Sequence, residues 1–458
     1  MSGRELARTG QLGPEELRLL QRQRLDELVR YAVAVSPFYR EWYRGIGTGP
    51  VDLAALPPVT KAQLMARFDE WVTDPRLTLA DLERHVQALS GDELHLGRYR
   101  VVASSGSTGR RGVFLYSRDE WVVNLANFLR LNEQFMGVHP RVPRLRVGAV
   151  AATSPAHVSA RTSLTAAVGV NRVLRLDAGQ PLGELVEALQ RFGPEYLGDY
   201  PSVLALMADE QRAGRLHLRP RWVLTGAEVR TPEMEQSIRE AWGVEPFDFY
   251  GISEGGVMGV DCAHHRGLHL FDDLFIVENV DDEGRPVRDG EMGHKVLVTN
   301  LYNRTQPLIR YEISDMVVLD SEPCACGRPG PRVVSIRGRN DDILRLPART
   351  GGEVAVHPLT LRSPFARLAQ VRQYKVVLEG SGLRVLVVPR EGVKAEAVTS
   401  EVYDALGVAL AKAGALPSAI RVEVVAGLAR EPGHGSKFKL IENRAGVPSL
   451  AHDGGGRV

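Results

Sequence analysis

The chain has 458 residues, 44% hydrophobic and 25% charged, with a formal net charge of +1. That length predicts two or more globular domains, and the near-neutral charge gives no electrostatic reason for nucleic acid or an anionic membrane as partner. No run of about 18 apolar residues occurs and Met1-Ser2-Gly3-Arg4-Glu5 lacks a signal-peptide core, so a cytoplasmic location without a membrane span is expected.

Leu17, Leu20, Leu25, Leu28, Val29 and Ala32 recur at helical spacing after Pro14, which predicts an amphipathic helix over 14–34. Val101-Val102-Ala103 and Val113-Phe114-Leu115-Tyr116 read as strands joined by Ser104-Ser105-Gly106-Ser107-Thr108-Gly109-Arg110-Arg111-Gly112. Such a loop can present backbone N–H groups and hydroxyls to phosphate oxygens, although its spacing is not that of a Walker loop. A plain glycine–serine surface turn is the alternative.

From about 144 to 254, strands at 145–152, 172–176, 222–225 and 246–250 alternate with helices at 182–191, 201–213 and 231–242. That rhythm predicts an α/β domain with a largely parallel sheet, whose ligands sit beyond the carboxyl ends of the strands. Two strand ends carry suitable chemistry. Leu224-Thr225-Gly226-Ala227-Glu228 is a small-residue turn that can receive a flat base, or a simple strand-to-helix connection. In Tyr250-Gly251-Ile252-Ser253-Glu254-Gly255-Gly256, Tyr250 can stack on a base and Glu254 can hold Mg²⁺ against a phosphate. A glycine-rich turn with a solvated glutamate is the rival there.

Residues 270–345 read as β-rich, with strands at 275–277 and 295–298 separated by turn chemistry such as Asp281-Asp282-Glu283-Gly284. Asp315, closing Arg310-Tyr311-Glu312-Ile313-Ser314-Asp315, can accept both ribose hydroxyls or serve a turn. Gly338-Arg339-Asn340-Asp341-Asp342 suits a hinge, with Arg339 able to reach ribose or phosphate oxygens, or a salt-bridged linker. Strands at 376–378, 383–388 and 420–425 and a helix at 396–413 then form a small α+β domain, possessing the freedom to move against the first. Within it, Gly435-Ser436-Lys437-Phe438-Lys439 offers a lysine on a glycine-flanked loop, or merely a solvated one. The tail around 454–456 is expected to be disordered.

The three cysteines, Cys262, Cys324 and Cys326, are too few for a disulfide framework. With Cys262-Ala263-His264-His265 upstream of Cys324-Ala325-Cys326, they predict a structural Zn²⁺ held by Cys262, His265, Cys324 and Cys326. His269 is the rival to His265, and three unligated thiols are the alternative.

Taken in order, Ser-Ser-Gly-Ser-Thr-Gly, Thr-Gly-Ala-Glu, Tyr-Gly-Ile-Ser-Glu, Arg-Tyr-x-x-x-Asp, Gly-Arg-x-Asp-Asp and Gly-x-Lys resemble the adenylate-forming superfamily. Leu28-Val29-Arg30-Tyr31-Ala32, Pro58-Val59-Thr60-Lys61 and Asp199-Tyr200-Pro201-Ser202 resemble its phenylacetate–CoA ligase branch over roughly residues 20–445.

The resemblance implies a large adenylation domain over 1–338, α/β layers plus a β-rich subdomain, and a small mobile α+β lid over 339–458. It implies that Ser105, Gly106, Ser107, Thr108 and Gly109 grip the ATP β- and γ-phosphates. Gly226, Ala227, Glu228, Tyr250 and Gly251 line the adenine pocket, and Ser253 and Glu254 meet the α-phosphate and Mg²⁺. Asp315 holds the ribose with Arg339, Asp341 is the hinge, and Lys437 stabilises the adenylation transition state, with Lys439 competing for that role. His157 and Tyr200 are candidate walls of the acid pocket. The expected substrates are ATP, an aromatic or arylalkanoic acid and coenzyme A. A carrier protein or amine acceptor, a homodimer, and a catalytically silent nucleotide binder are alternatives.

Overall fold

The structure is a computed structural model that describes residues 9, 12–45, 49–104, 112–137, 145–158, 160, 162, 171–428 and 438–444. The chain divides into two compact units between Ile336 and Arg337. Among the described residues, no helix is long and apolar enough to cross a membrane.

The larger unit opens with helix α1 (Pro14–Val35), which begins on Pro14 and buries Leu25, Leu28, Val29 and Ala32. Proline suits the first helical position because its missing N–H would be unpaired there in any case. Helix α2 (Pro37–Trp42) follows, capped by Ser36, and α3 (Lys61–Ala66) starts in a capping box between Thr60 and Gln63. Strands β1 (Arg100–Ala103) and β2 (Val113–Tyr116) pair antiparallel from Arg100↔Tyr116 to Ala103↔Val113, and helix α4 (Arg118–Arg130) leaves the second.

The centre of this unit is a nine-stranded sheet. Strands β3 (Arg146–Ala151), β4 (Arg172–Asp177), β5 (Tyr196–Asp199), β6 (Trp222–Gly226) and β7 (Phe247–Ile252) run parallel in the order β4-β3-β5-β6-β7. Helices α5 (Leu182–Phe192), α6 (Pro201–Arg212) and α7 (Pro232–Trp242) connect them. They bury Leu185, Leu189, Val203, Leu204, Met207 and Ile238 in a core against the strands. Helix α7 is capped by Thr231 and stops at Gly243, whose φ of 66° is one that glycine adopts at no steric cost.

Beyond β7 the sheet continues antiparallel through β8 (Gly256–Asp261) and β9 (Leu268–Leu270). Strands β10 (Phe275–Val280), β11 (Lys295–Asn300) and β12 (Tyr311–Ile313) form a separate antiparallel sheet. Strands β13 (Asp315–Asp320) and β14 (Arg332–Arg339) then return to the large sheet, where Arg332 lies opposite His269. The β-rich character expected for 270–345 therefore takes two forms, a sheet of its own and an antiparallel extension of the main one.

The smaller unit has its own core. Strands β15 (Leu344–Pro347) and β16 (Glu353–Val356) make a hairpin. A four-stranded sheet of order β19-β18-β17-β20 joins β17 (Val371–Glu379), β18 (Gly382–Pro389), β19 (Ile420–Val424) and β20 (Ile441–Asn443). Helix α8 (Ala395–Lys412) buries Val398, Val402, Leu406 and Leu410 at helical spacing. The tail at 454–456 lies outside the described residues.

Candidate functional site

The motif segments gather where the parallel strands end. Ala103 N donates to Ala156 O at 2.8 Å, tying the β1–β2 hairpin to the segment after β3. His157, in that segment, is buried rather than solvated, with its N–H on Ser154 O at 2.8 Å. Tyr200 is fully buried beyond β5, and its hydroxyl accepts from Ala152 N at 3.4 Å.

The hairpin is closed at its base. Ser104 N donates to Gly112 O at 2.9 Å, and Ser104 Oγ accepts from Gly112 N at 2.8 Å. Lys61 Nζ also donates to Ser104 Oγ, at 2.9 Å. Lys61 reaches this point because Val59 bridges β12, its N–H on Arg310 O at 3.0 Å and its carbonyl accepting Glu312 N at 2.9 Å. Nothing in the local sequence around Lys61 places it at this turn; the contact with β12 does. Ser105, Gly106, Ser107, Thr108 and Gly109 lie outside the described residues.

At the end of β6 the chain must pass very close to its neighbour. A Cβ on Gly226 would collide with the ring of Phe249 on β7, so only glycine fits. Ala227 then takes a φ of 63°, an uncommon left-handed conformation for a residue with a Cβ. Glu228 accepts a short hydrogen bond from Ser202 at the start of α6. Beneath this turn Thr225 Oγ1 donates to Asp248 Oδ1 at 2.8 Å, and Arg230 spans Thr225 Oγ1 at 3.3 Å and Pro246 O at 2.6 Å. Burial pushes the Asp248 carboxyl up to about 6, against the opposing pull of Arg230 and Thr225.

The loop after β7 is held by tyrosines from distant strands. Tyr116 on β2 donates to Ser253 O at 3.1 Å, Tyr302 to Gly255 O at 3.0 Å, and Tyr311 on β12 to Glu254 Oε1 at 3.1 Å. Tyr250 itself donates to Asp315 Oδ2 at 2.8 Å. Asn127 Nδ2 on α4 donates to Val257 O at 2.7 Å just beyond. A Cβ on Gly251 would stand 2.9 Å from Gly256 O, so the reversal into β8 also depends on glycine. The structure thus brings Gly226, Ala227, Tyr250, Gly251, Ser253, Glu254 and Asp315 together around adjacent strand ends. Chemically the cluster offers an aromatic ring and two carboxylates, groups suited to a base, a ribose and a metal-bearing phosphate.

In the smaller unit Asn340–Asp342 forms a short turn immediately after β14. Arg339 is half-buried and Asp341 exposed. Asp342 pairs with Lys439, Nζ to Oδ1 at 2.6 Å. Lys437 lies outside the described residues.

All three cysteines converge at the antiparallel edge of the large sheet. Cys262, His269, Cys324 and Cys326 offer ligand atoms that all lie within 4.8 Å of one another. Cys262 Sγ and Cys324 Sγ are 3.8 Å apart, and Cys326 Sγ is 3.3 Å from His269 Nε2. A tetrahedron with Zn–S bonds of about 2.3 Å has S···S edges of about 3.8 Å, so the thiol pair already has the spacing of two zinc ligands. His265, expected as the fourth ligand, is not part of this cluster. It sits in the β8–β9 turn at φ 49° with Nδ1 2.6 Å from Asp261 Oδ2, and its ring faces Phe247. Strand pairing explains the exchange, because β9 sets His269 opposite both Val260 and Arg332 in the sheet. Burial pushes the Cys262 thiol up to about 12 and the His269 imidazole down to about 4, the latter helped by Arg328 and Arg332.

No family model matches the chain. Curated relatives do. The chain is 28% identical over 387 residues to a phenylacetate–coenzyme A ligase of Thermus thermophilus, covering 80% of this chain and 79% of the relative. It is 27% identical over 380 residues to a phenylacetate–coenzyme A ligase of Pseudomonas putida, covering 80% of each. Among solved structures, a 2-hydroxyisobutyryl-CoA ligase in its postadenylation state superposes with a TM-score of 0.74 at 21% identity, covering 96% of this chain and 92% of the other.

Proposed function

We propose that this chain, a homologue of the phenylacetate–CoA ligases built on the fold of adenylate-forming acid–CoA ligases, activates a carboxylic acid with ATP and passes it to coenzyme A. The observation that supports the reading is the meeting of Tyr250 on β7, Glu254 just beyond it and Asp315 at the start of β13, with Tyr250 and Asp315 joined by a hydrogen bond. The likeness to phenylacetate–CoA ligases supports an aromatic or arylalkanoic acid.

In this reading the adenine lies beside the Gly226–Ala227 turn against Tyr250. Asp315 accepts from the ribose, with Arg339 assisting, and Glu228 lines the base pocket with Gly251. Ser253 meets the α-phosphate. Ser105, Gly106, Ser107, Thr108 and Gly109 enclose the β- and γ-phosphates. Glu254 fits Mg²⁺, since the ion favours one or two carboxylates combined with phosphate oxygens. When bound, that ion neutralises phosphate charge. The acid, with His157 at its pocket, loses its proton and attacks the α-phosphorus; the P–O bond to pyrophosphate breaks. Lys437 offsets the charge that develops, and rotation at Asp341 then opens the acyl carbonyl to the CoA thiol, with AMP leaving. The protein contributes orientation and fixed charge rather than covalent chemistry.

The Cys/His cluster fits a structural Zn²⁺ with Cys262, His269, Cys324 and Cys326 as ligands, since its thiol spacing matches a tetrahedral edge. The ion would join the β8–β9 turn to the segment before β14. A cytoplasmic location agrees with reduced thiols.

A pyrophosphate-release screen over aromatic and aliphatic acids, with and without CoA, tests the reading. Turnover that requires CoA, led by an aromatic acid, is the expected result. Release that ignores CoA moves the acceptor to a carrier protein or an amine, and silence across the panel indicates a nucleotide binder. Lys437→Ala should lower adenylation by about 10²–10³-fold while sparing thioester formation from a supplied acyl-adenylate. Equal loss of both steps removes Lys437 from its role.

A further inference from the structure

Two segments that meet at this site share one pattern, a tyrosine four residues before a carboxylate: Tyr250 before Glu254 and Tyr311 before Asp315. The structure crosses them. Tyr311 Oη donates to Glu254 Oε1 at 3.1 Å and Tyr250 Oη to Asp315 Oδ2 at 2.8 Å, so each tyrosine holds the acid of the other segment. Both tyrosines and Asp315 are buried, and Glu254 is half-buried. Other buried tyrosines of the same unit act differently: Tyr39, Tyr43, Tyr116 and Tyr302 donate to backbone carbonyls.

Tyr311 is itself firmly mounted. Arg310 before it takes a left-handed φ of 48°, and its guanidinium makes two hydrogen bonds to Glu278 on β10, at 3.1 and 3.0 Å. Arg310 N donates to Thr299 Oγ1 at 3.0 Å, and Tyr311 lies opposite Val298 on β11. The peptide carbonyls on either side of Glu254 are pinned separately, by Tyr116 and Tyr302. The Tyr311 hydroxyl therefore acts on the Glu254 carboxylate rather than on the course of the loop.

Resting on the ligase reading above, we propose that Tyr311 and Tyr250 are positioning residues that form a reciprocal clamp. Tyr311, from the ribose segment, orients Glu254 toward Mg²⁺, and Tyr250, from the metal segment, orients Asp315 toward the ribose. A hydrogen bond to one oxygen fixes the plane of a carboxylate, and with it the direction of the second oxygen. Mg²⁺ demands near-ideal octahedral geometry, so a carboxylate that can turn holds it less well. The crossing also couples the two ends of the nucleotide site, because neither acid turns without disturbing the other segment.

The test uses Tyr311→Phe, Tyr250→Phe and Tyr302→Phe, each of which keeps its ring. Mn²⁺ binding to the protein with α,β-methylene-ATP is read by electron paramagnetic resonance, and binding of AMP and 2′-deoxy-AMP by calorimetry. Acid-dependent ATP–pyrophosphate exchange at varied Mg²⁺ reports activity. Tyr311→Phe should weaken Mn²⁺ binding, and raise the Mg²⁺ needed for half-maximal exchange, by about 10-fold. Its preference for AMP over 2′-deoxy-AMP should stay within about twofold of wild type. Tyr250→Phe should do the reverse, losing about 10-fold of that preference with Mn²⁺ affinity within about threefold. Tyr302→Phe loses a hydroxyl from the same loop and should leave Mn²⁺ affinity within about threefold.

Equal weakening of Mn²⁺ binding in Tyr302→Phe and Tyr311→Phe would make loop rigidity the cause and overturn the proposal. So would an uncrossed pattern, in which Tyr311→Phe lowers only the ribose preference, or wild-type behaviour in both clamp variants. A wild-type protein that neither binds nucleotide nor exchanges pyrophosphate overturns the ligase reading, and the clamp with it. Failure of the variants against an active wild type removes the clamp alone.

Discussion

Asp248 is a mostly buried carboxyl beneath the turn that carries Gly226, with about a sixth of its side chain exposed. Its pKa of about 6 lies above the unfolded value of 3.8, so the folded state holds a proton that the unfolded chain has already released. Folding stability therefore falls as pH rises between about 4 and 6, and the penalty is constant above that window. At roughly 1.4 kcal/mol per unit it amounts to about 2–3 kcal/mol at neutral pH. Asp248→Asn keeps an acceptor for Thr225 and removes that penalty. Urea unfolding of the variant should show a gain of about 2 kcal/mol at pH 7 and none near pH 3.5; a gain independent of pH would refute the assignment. The same scale shows what a sequence can and cannot disclose. That Tyr250, Glu254 and Asp315 lie in or beside strands is legible in the sequence, because an apolar run leads into each. The hydroxyl of Tyr116 on Ser253 was not, since 137 residues separate the partners and only the fold joins them.

At the scale of elements, the helices α1, α5, α6, α7 and α8 could be read from apolar spacing because one face of each is buried. Helix α4 could not. Val122 and Leu129 are exposed on it beside buried Trp121 and Val123, so its apolar residues do not form one stripe. The zinc proposal shows the same limit, because spacing along the chain singled out the cysteines but strand register decides the histidine. Once β9 pairs with β8, His269 faces the thiols and His265 is carried to the turn beside Asp261. Metal analysis should find about one zinc per chain in the wild-type protein and in His265→Ala. Cys324→Ser and His269→Ala should each fall below about half an equivalent, since structural zinc affinity depends on the full ligand set. Equal retention in all four proteins would dismiss the site.

For the whole molecule, the division after Ile336 separates two hydrophobic cores and also the natural probes. Trp42, Trp71, Trp121, Trp222 and Trp242 all belong to the larger unit, while Tyr374 and Tyr403 are the aromatic hydroxyls of the smaller. Thermal unfolding followed by tryptophan emission therefore reports one unit, and far-ultraviolet circular dichroism reports both. The two curves should fail to coincide, as expected when separate cores unfold separately. AMP at about 100 times its Kd should raise the stability of the tryptophan-bearing unit by about 2.7 kcal/mol. Superimposable curves would mean that the cores unfold together. The two-unit division accompanies a change of pattern in the sequence near residue 340, where strand-and-turn chemistry gives way to a compact α+β arrangement. The mixed sheet of the larger unit was less legible, because β8, β9 and β14 extend a parallel sheet with antiparallel strands drawn from well-separated segments.

At the base of the β1–β2 hairpin a single hydroxyl, that of Ser104, accepts from both Gly112 N and Lys61 Nζ. The end of β1, the approach to β2 and the first residue of α3 are spliced at that one oxygen. A change as small as Ser104→Ala therefore loosens three stretches of chain at once.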